Sequence, residues 1–207
     1  MSNITSKLPL HISFADDITI WVSHVCIDAA NKELAKLLVQ FLEWCHKWRI
    51  NTSTEKTEFM ILSKQHKDQQ LTVGGKHIAQ VKTKKCLGVI IDEKLNFKQH
   101  VDHICGCALR ATNKIAPLFR FCNIELCLRL HQTLMSPHLE RTYVLWCHSD
   151  HSNLQKVDRI QRIGLLRVSG ALSSTPNAAL EVLTHKLPLY IRLDEILVHK
   201  AMRIFRK

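Results

Sequence analysis

Asp16 and Asp17 stand side by side between two β-rich runs, residues 12–14 and 18–22, and are the first residues of the chain whose chemistry calls for a partner. Apolar and β-branched residues flanking an Ala-Asp-Asp break predict a tight hairpin that carries both acids at its tip. Adjacent carboxylates repel, and a cation relieves that repulsion. A hard divalent ion such as Mg²⁺ takes carboxylate oxygens and keeps waters and substrate phosphates in its remaining positions. Exposed acids of this kind therefore suit metal-dependent phosphoryl transfer. Asp-Asp is also at home in a plain turn, because Asp tolerates turn geometry and bonds its own backbone. The pair alone does not separate the two readings.

The elements that must hold such a site belong to a chain of 207 residues with 46% hydrophobic content, enough for one sizeable domain or two small ones. That content excludes a disordered tail. Lys and Arg total 29 against 18 Asp and Glu, a formal net charge of +11, which makes a polyanion, nucleic acid first, the expected partner. The basic residues are dispersed, so a generically basic soluble protein is the competing reading. Eight cysteines fall without a paired framework, most of them at apolar positions of expected elements. With no secretory leader pattern at the start, they read as free thiols in a reducing, intracellular setting rather than as a disulfide scaffold. No apolar run is long enough to span a membrane. His100, His103, Cys105 and Cys107 cluster in sequence, but their spacing is not the paired Cys-x-x-Cys of structural zinc sites, and a packed amphipathic helix accounts for them.

After the hairpin, Leu34, Leu37, Leu38, Phe41, Cys45 and Trp48 recur at helical spacing, which predicts a helix from an Asp28 N-cap to Trp48. Residues 49–62 then pass through a loop bearing Lys56 into a β-rich run. Gly74-Gly75 between alternating runs predicts a two-residue hairpin. Lys84 to Asp92 reads as one continuous buried strand, with Gly88 as a bulge or a place where a neighbouring backbone or ligand comes close. From Asn96 onward helical periodicity takes over, so a boundary is expected near residue 96. An Asn96 cap with Gln99 predicts a helix whose apolar face is Val101, Ile104, Cys105, Ala108, Leu109, Thr112 and Ile115, ended or kinked by Pro117. Asn123 predicts a second start, with Leu126, Leu130, Thr133 and Leu134 inward. Ser152 with Gln155 opens a third helix closed by Gly170, and its Lys156, Arg159, Arg162 and Arg167 either bind phosphates or form a solvated face. Thr175-Pro176 predicts one more start, and Leu193, Ile196, Leu197, Ala201 and Ile204 mark a last amphipathic helix.

Phe14-Ala15-Asp16-Asp17 resembles the Phe/Tyr-x-Asp-Asp box of reverse transcriptases, in the form typical of non-LTR, jockey-like retrotransposons. Trp48, Lys56 and Thr57 fall at the spacing of the segment that follows in such enzymes, although Ser53 stands at the usual Asn position. Lys85 to Asp92, followed by Leu95-Asn96-Phe97 and His100, is similar to their primer-grip region. Pro137-His138-Leu139-Glu140 and Trp146 resemble a thumb motif, with Arg141 where a Tyr usually stands and Tyr143 two residues on.

The resemblance implies an α+β chain: a partial polymerase palm over residues 1–96 (β-hairpin, helix, further strands), then a mainly helical thumb-like domain over 97–207. It implies extension of a DNA primer on an RNA template with nucleoside triphosphates and Mg²⁺ or Mn²⁺ in the intact enzyme. Asp16 would be a metal ligand, Asp17 a weaker or indirect one, and Lys56 would act near the incoming nucleotide. Phe14 would pack beneath the hairpin. Lys84, Lys85, Gly88, Lys156, Arg159 and Arg162 would contact nucleic acid. The family's site also needs a third carboxylate from an upstream strand and a fingers region, and residues 1–11 contain no acid. The expectation is a fragment that binds nucleic acid but does not polymerise alone. A non-catalytic nucleic-acid-binding remnant or domesticated protein is the alternative.

Overall fold

A computed structural model describes residues 10–63 and 68–206. They fall into two compact units, Met1–Lys82 and Thr83–Lys207. The first mixes strands with one long helix and the second is mainly helical, so the chain is α+β.

The first unit opens with β1 (Leu10–Phe14) and β2 (Asp17–Trp21), an antiparallel pair that forms its own two-stranded sheet. Helix α1 (Ile27–Lys47) follows. Its N-cap is Cys26 rather than Asp28, and the Asp28 carboxylate instead accepts a 3.1 Å hydrogen bond from Gln69 Nε2. Gln69 Oε1 also accepts from Asn31 Nδ2, so α1 is tied to the approach to the next sheet. That sheet has the order β3 (Glu58–Phe59), β5 (Lys76–Gln80), β4 (Leu71–Val73). Gly74 and Gly75 turn β4 into β5 with φ of 59° and 76°, the left-handed pair that a tight hairpin turn demands. Phe59, Leu71, Val73 and Ile78 form the core, covered by Leu34, Ala35, Leu38 and Leu42 of α1. The α1 C-terminus closes with Ile50 N–H donating to the Cys45 carbonyl at 2.8 Å across Arg49, which holds φ 56°. Glycine normally fills that position, and a side chain there costs about 1 kcal/mol.

The second unit begins with a hairpin, β6 (Thr83–Cys86) and β7 (Val89–Asp92), turned by Leu87 and Gly88. This corrects the expectation of one continuous strand over 84–92. Leu87 at φ 48° and Gly88 at φ 87° make a two-residue turn, and nothing approaches Gly88 within 4 Å of where a β-carbon would lie. Gly88 is therefore a turn residue, where its positive φ suits glycine.

Helix α2 (Lys98–Ile115) starts at Phe97, itself left-handed at φ 55°, and not at Asn96. The Asp92 carboxylate accepts from the backbone N–H groups of Asn96 and Phe97 at 3.0 and 2.8 Å, doing from β7 what a local cap would do. The expected apolar face is in place: Val101, Ile104, Cys105, Ala108, Thr112 and Ile115 are buried.

A 3-10 turn containing Pro117 leads to α3 (Ile124–Leu134), capped by Asn123 Oδ1 accepting from Leu126 N–H at 2.9 Å. Its inward stripe is Cys127 and His131, continued by Met135. Leu126 and Leu134, expected inside, are each 45% exposed.

Short helices α4 (Ser136–Glu140) and α5 (Tyr143–Trp146) precede α6 (His151–Ser169). Asp150, not Ser152, caps α6, and Gly170 at φ 66° closes it. Helices α2 and α6 run parallel and in step, with Asp102 meeting Lys156 and Asn113 meeting Arg167. Helices α7 (Asn177–Leu183) and α8 (Leu189–Phe205) complete the unit, with Pro176 as the α7 cap in place of Thr175. Its core gathers Val101, Ala108, Met135, Leu139, Trp146, Val157 and Leu193.

Candidate functional site

The β1–β2 register pairs Phe14 with Asp17, leaving Ala15 and Asp16 as the two-residue turn. Both carboxylates are exposed. Ala15 holds φ 52°, a conformation that disfavours any β-carbon and that concentrates at binding and catalytic sites. Directly opposed residues share a face, so Ile12, Phe14, Asp17, Thr19 and Trp21 lie together. Phe14 is 65% exposed and Ile12 52%, so the expected packing of Phe14 beneath the hairpin does not occur among the described residues.

Lys56 ends a 3-10 turn, Thr54–Lys56, just before β3. The turn is closed by Thr57 Oγ1 donating to the Ser53 carbonyl at 2.8 Å, and Lys56 itself is exposed. The Asp-Asp hairpin and Lys56 belong to different elements, and among the described residues no sheet joins them. Among the described residues no group of three or more His, Cys, Asp or Glu could hold a metal ion. Two exposed carboxylates nonetheless fit the partial ligand set that Mg²⁺ takes when substrate phosphates and water complete its shell.

The second unit holds the remaining expected site residues. It carries 19 of the 29 Lys and Arg and 10 of the 18 Asp and Glu, a formal charge of +9 out of the chain's +11. Lys84 and Lys85 are exposed on β6 beside the Leu87–Gly88 turn. The hairpin is anchored by His100, which is buried: Ile90 N–H donates to its Nδ1 at 3.3 Å, and Nε2–H donates to Thr142 Oγ1 at 2.7 Å. Burial, with a smaller contribution from His103, lowers the His100 pKa and favours this neutral form.

The cations of α6 divide by role. Lys156 pairs with Asp102 at 2.5 Å. Arg162 donates to the Ser173 carbonyl at 2.8 Å and to Asn177 Oδ1, tying α6 to the start of α7. Arg167 donates to Asn113 Oδ1. Arg159 is exposed, and no bond to it is seen among the described residues. The basic flank of the expected helix offered all four cations alike as phosphate contacts or a solvated face, and the structure separates Arg159 from those that bond within the fold.

The thumb-like motif likewise serves the fold. Tyr143 is buried edge-on against Trp146 with ring centroids 5.0 Å apart, and its hydroxyl donates to Asp194 of α8 at 3.3 Å. Burial foremost, then Asp194, pushes the Tyr143 hydroxyl up to about 12. Cys105 is buried and pushed up to about 11, an inert packing thiol, and all eight cysteines are free.

The sequence is 23% identical over 163 residues to the RNA-directed DNA polymerase from mobile element jockey of Drosophila funebris, covering 77% of this chain and 18% of that protein. It is 24% identical over 164 residues to the jockey polymerase of Drosophila melanogaster, with the same coverage. The probable RNA-directed DNA polymerase from transposon X-element of Drosophila melanogaster matches at 22% over 196 residues, 91% of this chain and 21% of that protein.

The chain is similar to the reverse transcriptases of non-LTR retrotransposons.

It spans about a fifth of the length of these curated relatives. No family model and no solved structure matches it. No helix among the described residues is long and apolar enough to cross a membrane.

Proposed function

We propose that this chain is the palm-end and thumb portion of a non-LTR retrotransposon reverse transcriptase, and that alone it binds nucleic acid without polymerising. The observation that carries the reading is the hairpin register: Asp16 in a strained two-residue turn and Asp17 beside it, both exposed, within the Phe-Ala-Asp-Asp sequence. In the intact enzyme a primer 3′-hydroxyl attacks the α-phosphorus of a nucleoside triphosphate and pyrophosphate leaves. Mg²⁺ or Mn²⁺ at Asp16 and Asp17 would supply charge neutralisation for that transfer. Lys56 would offset the charge of the departing pyrophosphate. Lys84, Lys85, Arg159 and the neighbouring cations of the helical unit would hold phosphates of primer and template, giving affinity that falls with salt and reads no sequence. The Leu87–Gly88 turn would bring Lys84 and Lys85 to the strand.

The reading is tested by two assays on the purified chain. Fluorescence anisotropy with an RNA–DNA hybrid should give binding that weakens steeply with salt, and primer extension with Mg²⁺ should give no product. Synthesis that Asp16→Asn abolishes would refute the inactive-alone part, and salt-insensitive or absent binding would refute the whole. The concentration of charge in the helical unit also favours a second reading, a binding protein that has dispensed with catalysis. Under it, Asp16→Ala leaves nucleic-acid affinity unchanged and fusing the upstream sequence of a relative to this chain yields no polymerase.

A further inference from the structure

In the first unit, α1 leaves two large aromatic side chains outside its core. Trp44 is 49% exposed and Trp48, the C-terminal cap residue, is 62% exposed. The core side of the helix is Leu34, Ala35, Leu38, Leu42 and the buried Cys45, so both rings lie on the flank. At a spacing of four residues they sit one above the other on the helix surface, about 6 Å apart along the axis. Phe41 braces Trp44 from below, with centroids 6.2 Å apart and planes inclined by only 21°. The polar neighbours of the pair are Gln40 and Lys47, and Arg49 follows Trp48 in its left-handed conformation. Of the acids, Glu43 lies beyond Lys47 on the side away from the rings, and Glu33 is about three turns distant.

Flat π-faces side by side with cations at their edge are the means by which proteins grip unpaired bases. Each base can stack on a ring while Lys or Arg meets its phosphate, without regard to sequence. A duplex offers no free base faces to such a pair. We infer that Trp44 and Trp48 form a stacking platform for single-stranded nucleic acid, with Lys47 and Arg49 as its phosphate contacts. The inference rests on the nucleic-acid reading above and adds to it a place and a strand state: template or product that is not yet, or no longer, base-paired.

The test uses the full chain, a fluorescein-labelled oligothymidylate and a duplex of the same length. Wild-type tryptophan emission should be quenched as the oligothymidylate saturates the protein. Trp44→Ala/Trp48→Ala should weaken single-strand binding by about tenfold or more. Duplex affinity should change less than about twofold, and the salt slope should stay the same because no phosphate contact is lost. The Trp44→Phe/Trp48→Phe variant keeps an aromatic face and should recover most of the affinity, which guards against an effect of misfolding.

If wild type binds duplex but its emission is unquenched at saturating oligothymidylate, or if the alanine variant binds single strands as wild type does, the platform is overturned and the face belongs to a protein contact. In that case the nucleic-acid reading survives. Equal loss on both probes also overturns it. If wild type binds neither probe, the reading under Proposed function fails and takes the platform with it.

Discussion

The His131 imidazole lies against the bare α-carbon of Gly164, so close that an added β-carbon would stand 2.5 Å from Nε2 and 3.0 Å from the Met135 methyl. This contact sets the spacing of α3 and α6. It also explains why α3 turns Cys127, His131 and Met135 inward instead of its leucines: the glycine gap admits a flat ring.

Gly164→Ala should therefore destabilise the helical unit despite alanine's better helix propensity. Overpacking of this kind costs about 1–3 kcal/mol, more than the roughly 1 kcal/mol gained in propensity. Urea denaturation followed by circular dichroism measures the difference, and a variant more stable than wild type would show that the ring moves aside freely.

His131 also makes stability depend on pH. It is 2% exposed, neither ring nitrogen has a hydrogen-bond partner among the described residues, and burial, then Lys186, lowers its pKa from 6.5 to about 4. Between those values the unfolded chain takes up a proton that the folded state refuses, so stability falls as pH drops from 6.5 toward 4, by about 3 kcal/mol in all. The lowered His100 acts in the same direction. Denaturation midpoints across this range should slope downward on acidification, and His131→Leu should remove most of the slope. A slope unchanged by that substitution would place the titration elsewhere.

His100→Phe keeps the bulk but deletes both hydrogen bonds, leaving Ile90 N–H and the Thr142 hydroxyl without their partner. The expected cost is about 2–3 kcal/mol. Hydrogen exchange should show the Ile90 amide losing protection, along with the β6–β7 hairpin, more than the α6 interior does. Uniform loss across the unit would mean that His100 supports the core and not the hairpin in particular.

Arginine substitutions on α6 should separate binding from folding. Arg159→Gln should lower nucleic-acid affinity and reduce the log–log salt slope by about 0.7–0.9 with no change in melting temperature. Arg162→Gln should lower the melting temperature, because the Ser173 carbonyl and Asn177 lose their donor. Anisotropy titrations at several salt concentrations, with thermal melts alongside, distinguish the two. Equal behaviour of the two variants would dissolve the division of roles.

Much of this was legible wherever one residue type decides the geometry. The Gly74–Gly75 turn, the Asn123 cap, the Gly170 stop and the apolar stripe of α2 all follow from local chemistry. What escaped was settled at a distance. Leu87 is a poor residue for a left-handed turn, and periodicity over 84–92 reads straight through it. Asp92 accepts from the Asn96 and Phe97 amides from the preceding strand, a partner that no local cap pattern at Asn96 reveals. The inward face of α3 depends on a glycine 33 positions beyond His131, which no periodicity reports. For the candidate site, the β-rich runs around Ala-Asp-Asp were enough to place the hairpin, although Asp17 opens β2 instead of sharing the turn, whereas the exposure of Phe14 and the engagement of Lys156, Arg162 and Arg167 depend on the tertiary structure.

The parallel run of α2 and α6 also constrains how the helical unit comes into being. Neighbouring helices joined by a short loop run antiparallel and can close as soon as both exist. Here the chain must first travel back through α3, α4 and α5 before Lys156 can find Asp102 and Arg167 can find Asn113. That closure spans 54 residues and costs its entropy before any of its contacts form, so the pairing of α2 with α6 raises the contact order of a unit whose helices are each local.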